Sequence, residues 1–122
     1  IEYKVVVNAD GDKSWYLNGK RHREDGPAIE CANGNKCWYL NNQRHREDGP
    51  AAEFASGNKW WLLNGQLHRE DGPAVEWANG DKFWYLKGKE MSEQEFLSQT
   101  IKEMTLSQVI ENLGYEIKIV KE

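Results

Sequence analysis

The segment His22-Arg23-Glu24-Asp25-Gly26-Pro27-Ala28, HREDGPA, returns unchanged at 45–51 and 68–74. Around it the chain aligns without a gap at a spacing of 23 residues, so that His22, His45 and His68 fall in one column and Trp15, Trp38, Trp61 and Trp84 in another. The turn segments ADGDK, ANGNK, ASGNK and ANGDK begin at Ala9, Ala32, Ala55 and Ala78. A fixed period of this length marks an array of equivalent structural units, each too small to bury a core alone.

Each unit reads as β. A short run such as Lys36–Leu40 ends at Asn41-Asn42, whose equivalents are Asn18-Gly19 and Asn64-Gly65. Asn-Gly between apolar runs is a strong hairpin signal, because both turn residues take positive φ. The return strand passes through Asp-Gly-Pro, continues as Ala28–Cys31, and turns again at Asn33-Gly34. Pro27, Pro50 and Pro73 have no N–H to give a ladder, so each is expected at a bulge or a strand start. The expected fold is mainly β, an antiparallel meander or solenoid advancing two strands per unit.

NGKRHRED (18–25), the turns CANGNK (31–36) and WANGDK (77–82), and the strand-to-turn run WYLNG (15–19) resemble the MORN repeat, a 23-residue β-hairpin unit. The resemblance covers about residues 5–90. It departs from the family's usual pattern at two places, where glycines after the strand aromatic and after the His are replaced by Tyr or Leu and by REDGP. The chain looks like a variant of the kind associated with bacterial, phage and viral repeat proteins. The resemblance implies an elongated sheet and roles in binding proteins or membranes. It implies no activity, and a fold never does so by itself.

A two-residue turn pairs Leu17 with Lys20, Tyr16 with Arg21 and Trp15 with His22; by the same logic Tyr39 meets Arg44 and Leu62 meets Leu67. Where Tyr becomes Leu, the partner Arg becomes Leu, which substitutes an apolar pair for a cation–π pair. Alternation then sorts two faces. One carries Trp15, Leu17, Trp38, Leu40, Trp61, Leu63, Trp84 and Leu86, joined by Ile29, Cys31, Phe54, Val75 and Trp77, and is expected to form the core. The other carries Tyr16, Tyr39, Leu62, Tyr85, Ser14, Cys37, Trp60 and Phe83, with Arg21, Arg44, Glu30, Glu53 and Glu76 beside them. This second face changes from unit to unit, and exposed aromatics with Arg dominate binding hot spots. The candidate binding residues are therefore Tyr16, Arg21, Glu30, Tyr39, Arg44, Glu53, Trp60, Glu76, Phe83 and Tyr85.

The same alternation puts Cys31 and Cys37 on opposite faces of one hairpin, which predicts free thiols and a reducing compartment. The hairpin units are expected over 1–90, one partial and three full. Residues 91–122 are expected to close the sheet's open edge. Ser92 with Glu95 reads as a capping box, followed by apolar residues at helical spacing; Thr105 with Gln108 opens a second short helix, and Tyr115–Val120 alternates as a final strand.

Catalysis and metal binding are not expected. The histidines stand one unit apart, about 10 Å, and ladder side chains run parallel, whereas zinc needs ligands converging at ~2.1 Å. Each His is expected to pack on a Trp with a ring nitrogen bonded to the Arg-Glu-Asp loop. Three equal copies of Glu-Asp read as scaffolding rather than as a general acid–base pair, which needs one constellation in a cleft. No cofactor motif is present.

The chain has 122 residues, 16 basic and 20 acidic, for a formal charge of −4. That length suits one domain, and the mild acidity argues against direct nucleic-acid binding. No apolar run approaches the ~20 residues of a membrane span. No leader-like segment opens the chain, which starts at Ile1, and a soluble cytoplasmic protein is expected. The function expected is a non-catalytic protein-interaction module using the Tyr/Trp/Glu face. The alternative is a small phage- or mobile-element-type inhibitor, whose acidic row Glu30, Glu53 and Glu76 would mimic a phosphate backbone in a nucleic-acid-processing defence protein, or whose rings would hold a nucleotide. A homodimer through the strand edge near residues 1–7 is a further expectation.

Overall fold

A computed structural model describes residues 2–101. The chain opens with β1 (Tyr3–Val7), β2 (Lys13–Leu17), β3 (Lys20–Arg21) and β4 (Ile29–Glu30). The next unit supplies β5 (Lys36–Cys37), β6 (Tyr39–Leu40), β7 (Gln43–Arg44) and β8 (Ala52–Glu53). The third supplies β9 (Lys59–Trp60), β10 (Leu62–Leu63), β11 (Gln66–Leu67) and β12 (Val75–Glu76). Then come β13 (Lys82–Leu86), β14 (Lys89–Met91) and a helix, α1 (Glu93–Ile101). Among the described residues every pairing is antiparallel, and the main sheet runs β1-β2-β4-β5-β8-β9-β12-β13-β14 with β3 beside β2.

The hairpins form as the turns dictate. Asn18 and Gly19 take φ of 53° and 76°, and Asn64 and Gly65 take 50° and 79°, the twin positive values of a type I′ turn. The register follows: Tyr16 pairs with Arg21, Tyr39 with Arg44, and Leu62 with Leu67.

HREDGPA interrupts the return strand. Trp15 accepts a hydrogen bond from His22 N–H at 3.1 Å and donates its own N–H to Ala28 O at 2.8 Å. Its neighbour Ser14 pairs with Ile29. One step along β2 thus corresponds to seven along the partner, and residues 23–28 loop out. Trp38 and Trp61 repeat the pattern with His45 and Ala51, and with His68 and Ala74. The break expected at Pro27, Pro50 and Pro73 is this loop.

The loop changes the parity of everything after it. Ser14, Ile29, Cys37, Ala52, Trp60, Val75 and Phe83 are successive cross-strand partners, so they share one face. Ile29 and Val75, expected on the Trp15 face, therefore lie on the opposite one, and Cys31, Phe54 and Trp77 follow by alternation. The glutamates move the other way. Glu30 pairs with Lys13 and Lys36, Glu53 with Lys36 and Lys59, and Glu76 with Lys59 and Lys82. That puts them on the face of Trp15, not beside Tyr16. A one-residue slip in parity exchanges every side chain between faces.

Burial corrects the expected core as well. The tryptophans and leucines of the Trp15 column are only partly buried. The buried apolar residues include Ala28, Ala51 and Ala74 at the loop ends, Tyr39 and Leu62 on the variable face, and Val75, Met91 and Phe96. Among the described residues no large side chain is wholly buried. Stability is therefore spread along the units through hydrogen bonds that join one to the next. Arg23 N–H donates to Tyr39 O at 3.1 Å and Asn42 N–H to Arg21 O at 2.9 Å, and each pair has counterparts in the following units.

At the C-terminal end of the array Met91 stands where His22, His45 and His68 stand earlier, and the chain enters α1 instead of another loop. Ser92 Oγ accepts from Glu95 N–H at 3.1 Å and donates to Glu95 Oε1 at 3.2 Å, which is the expected cap. Phe96 and Thr100 of this helix are buried. The second helix from Thr105 and the strand over Tyr115–Val120 lie outside the described residues. Among the described residues, no helix is long and apolar enough to cross a membrane.

Candidate functional site

The most repeated residues hold the units together. Arg23 lays its guanidinium on Trp15, 4.0 Å from the ring centroid. Its Nε donates to Asp25 Oδ1 at 3.0 Å and its Nη1 to Pro27 O at 3.1 Å and Glu30 Oε1 at 3.3 Å. Arg46 does the same over Trp38, with Asp48, Pro50 and Glu53. Arg69 covers Trp61 at 3.9 Å and reaches Asp71 and Pro73. Gly26, Gly49 and Gly72 leave room for this stack, since a Cβ on Gly49 would stand 2.9 Å from Arg46 Cζ. The histidines clamp the following unit. Nδ1 of His22, His45 and His68 accepts from the backbone N–H of Asn41, Asn64 and Lys87, at 3.0, 2.9 and 2.8 Å. That bond puts the ring proton on Nε2, which faces Glu24, Glu47 or Glu70 at 3.4–3.5 Å. For His22 this contact is the expected ring-to-loop bond, and in all three units the inter-unit bond from Nδ1 stands beside it. Asp12, Asn35 and Asn58 form a third clamp, each Oδ1 accepting from the N–H of Ala32, Ala55 or Ala78.

With those columns assigned to the scaffold, the variable face remains. Trp60, Leu67, Val75, Trp77, Phe83 and Tyr85 line a cavity of about 350 Å³, with Glu90 as its one charged liner. Register explains the gathering. Trp60 and Phe83 both pair with Val75, Trp77 stands two residues beyond Val75, and Tyr85 pairs with Glu90. Phe54 and Trp77 meet Trp60 edge-on, at centroid distances of 5.0 and 6.3 Å, an arrangement aromatic quadrupoles favour. The indole N–H of Trp60 is buried and has no hydrogen-bond acceptor, a deficit that native structures seldom carry. Phe83 keeps 38% of its surface exposed. Burial first, then the Glu90 carboxylate, pushes the Tyr85 phenol above its ordinary value.

Of the expected binding residues, Trp60, Phe83 and Tyr85 come together here. Tyr16, Arg21, Tyr39 and Arg44 share the face but lie in the earlier units. Tyr39 is only 9% exposed, with Arg21 and Arg44 at 5.7 and 5.9 Å from its ring and Arg44 Nε donating to its hydroxyl. It serves as packing, and Arg21, expected over Tyr16, sits by Tyr39 instead. Glu30, Glu53 and Glu76 lie on the opposite face, ion-paired with the stacked arginines and interleaved with lysines. They do not form a bare acidic row. Leu67, Val75, Trp77 and Glu90 were not among the expected residues. The alternating Lys13, Lys36, Lys59 and Lys82 opposite the glutamates are the signal that places Val75 and Trp77 correctly, since opposite charges are the favoured cross-strand partners.

Cys31 and Cys37 follow the same correction. Cys37 pairs with Ile29, and Cys31 stands two residues beyond Ile29, so both thiols are on one face. Both are free. Burial is the main cause that raises each thiol above its ordinary value, which disfavours the reactive thiolate.

No known protein family, curated protein or solved structure matches the chain.

Proposed function

We propose that this chain is a non-catalytic protein-interaction module of MORN-like hairpins, and that its docking site is the cavity between Trp60, Val75, Trp77 and Phe83. The observation carrying this reading is a contrast between columns. The His, Arg, Trp and Ala columns are identical in the three loop-bearing units, and each has a structural task. The variable columns run Ser14, Cys37, Trp60, Phe83 and Cys31, Phe54, Trp77. Their large rings accumulate in one half of the sheet, around a cavity that nothing in the scaffold requires. An aromatic-lined hollow of this size accepts one or two apolar side chains of a protein partner, and Tyr and Trp are the side chains that most often carry such contacts.

The inhibitor that mimics a phosphate backbone draws no support from Glu30, Glu53 and Glu76, whose charges are offset by lysines and arginines. An inhibitor acting through the aromatic cavity is a case of the same module with a particular partner.

Parallel selections of one random peptide library on the wild-type chain and on Phe83→Glu test the proposal. Enriched peptides should share an aromatic or leucine anchor and bind Phe83→Glu at least about tenfold more weakly, since a carboxylate in an apolar pocket costs more than ~1.4 kcal/mol. Enrichment of the same peptides on both proteins, or of none, sinks it.

A further inference from the structure

A second surface repeats with the units, on the face opposite the aromatic cavity. Two equivalent clefts lie one unit apart. The first, about 680 Å³, is lined by the loops at Arg23 and Arg46 together with Trp38 and Leu40. The second, about 590 Å³, is lined by the loops at Arg46 and Arg69 together with Trp61 and Leu63. The arginines contribute little free positive charge, because each is engaged with a carboxylate, a proline carbonyl and an indole face. The carboxylates of Glu24, Glu47 and Glu70 remain open, with side chains 77%, 84% and 75% exposed and a histidine as the nearest partner. Each cleft therefore sets free negative charge beside the apolar surface of a tryptophan and a leucine, which suits a guanidinium or ammonium flanked by apolar atoms.

Spacing selects the shape of the occupant. Successive units advance by two strands in the main sheet, or about 9.6 Å. A polyproline II helix turns once every three residues, rising ~9.3 Å, and so presents the same side at that interval. An extended strand repeats its side-chain direction every ~6.7 Å. An α-helix returns to one face at ~5.4 Å and next at ~10.5 Å. The polyproline II interval lies nearest the cleft spacing. We infer that this face binds a cationic polyproline II segment with a basic residue at every third position, laid across the strands from one cleft to the next. The site is independent of the aromatic cavity.

The test uses fluorescently labelled peptides and the whole chain. One peptide repeats the triplet Pro-Pro-Arg; a second has the same composition with its arginines gathered at one end. The triplet peptide should bind about tenfold more tightly than its rearranged partner, and the variant Glu24→Gln/Glu47→Gln/Glu70→Gln should lose about tenfold of that affinity while melting as wild type does, because rim charges add little to folding. In the nitrogen-15 spectrum the indole resonances of Trp38 and Trp61 should move and that of Trp60 should not. Equal affinity for the two peptides would reduce the contact to unspecific charge attraction and overturn the inference. So would a triple variant that binds as tightly as wild type, or the absence of binding by either peptide.

Discussion

His22 Nδ1 accepts a hydrogen bond from the backbone N–H of Asn41, 3.0 Å away and 19 residues along the chain. The ring is nearly buried, at 6% exposure, and the N–H it receives belongs to the hairpin turn of the next unit. Replacing His22 by Ala should cost about 1–3 kcal/mol, the range for leaving a part-buried donor without its acceptor. His22→Asn keeps an oxygen near the position of Nδ1 and should recover part of the loss. Urea unfolding of the two variants checks this; equal losses would deny the bond its role.

Gly49 and Arg46 should behave as one element. Gly49 does not take positive φ, so its requirement is space alone. An added Cβ would stand 2.9 Å from Arg46 Cζ, so the guanidinium must shift over Trp38. Gly49→Ala should then cost no more than Arg46→Ala, about 1–2 kcal/mol for a stacked, charge-assisted contact. The double variant should be no worse than Arg46→Ala alone, because without the guanidinium the added Cβ has nothing to push aside. Additive losses in a thermal-melt cycle would contradict this account.

How much of this was legible in the chain divides at the looped segment. The period, the Asn-Gly turns and the pairs Tyr16–Arg21, Tyr39–Arg44 and Leu62–Leu67 depend on local rules, which act within a few residues. Ile29, Val75 and the three glutamates lie beyond residues 23–28, 46–51 or 69–74. Alternation counts faces only along unbroken strand, and six looped residues carry no parity. The site inherited the error. Trp60 precedes the loop of its unit and Phe83 belongs to the last unit, which has no loop, and both stand on the expected face, whereas Val75 and Trp77 follow a loop and do not. Burial of Tyr39 was hidden for a different reason: the arginines that cover it come from two neighbouring strands.

Asp12 makes one clamp sensitive to acid. Its carboxylate accepts the backbone N–H of Ala32 and the side-chain amide of Asn8, and these bonds, the first most of all, hold its pKa below the ordinary 3.8. A lowered carboxylate contributes stability that is present above the ordinary value and lost as pH falls through the folded one. Asn35 and Asn58 perform the same task without charge. The melting temperature of Asp12→Asn should therefore fall less steeply below pH 3.8 than that of wild type; parallel pH curves would refute the assignment.

Among the described residues β1 pairs with β2 alone and so stands at an edge of the main sheet. Tyr3, Val5, Val6 and Val7 are all exposed on it, the composition of a strand that pairs with another. We expect two copies to join there. Sedimentation equilibrium should give a dimer for wild type and a monomer for Val5→Lys/Val7→Lys; the same mass for both would remove this contact from the account.

The most direct test of recognition at the aromatic cavity is a nitrogen-15 spectrum of the six indole N–H groups, recorded while a library-selected peptide is titrated in. Trp60 and Trp77 line the cavity, while Trp15, Trp38, Trp61 and Trp84 occupy the other face. The account predicts that the resonances of Trp60 and Trp77 shift with saturation and that those of Trp15, Trp38 and Trp61 stay in place. Shifts confined to Trp15, Trp38 and Trp61 would place recognition on the wrong side of the sheet and contradict it.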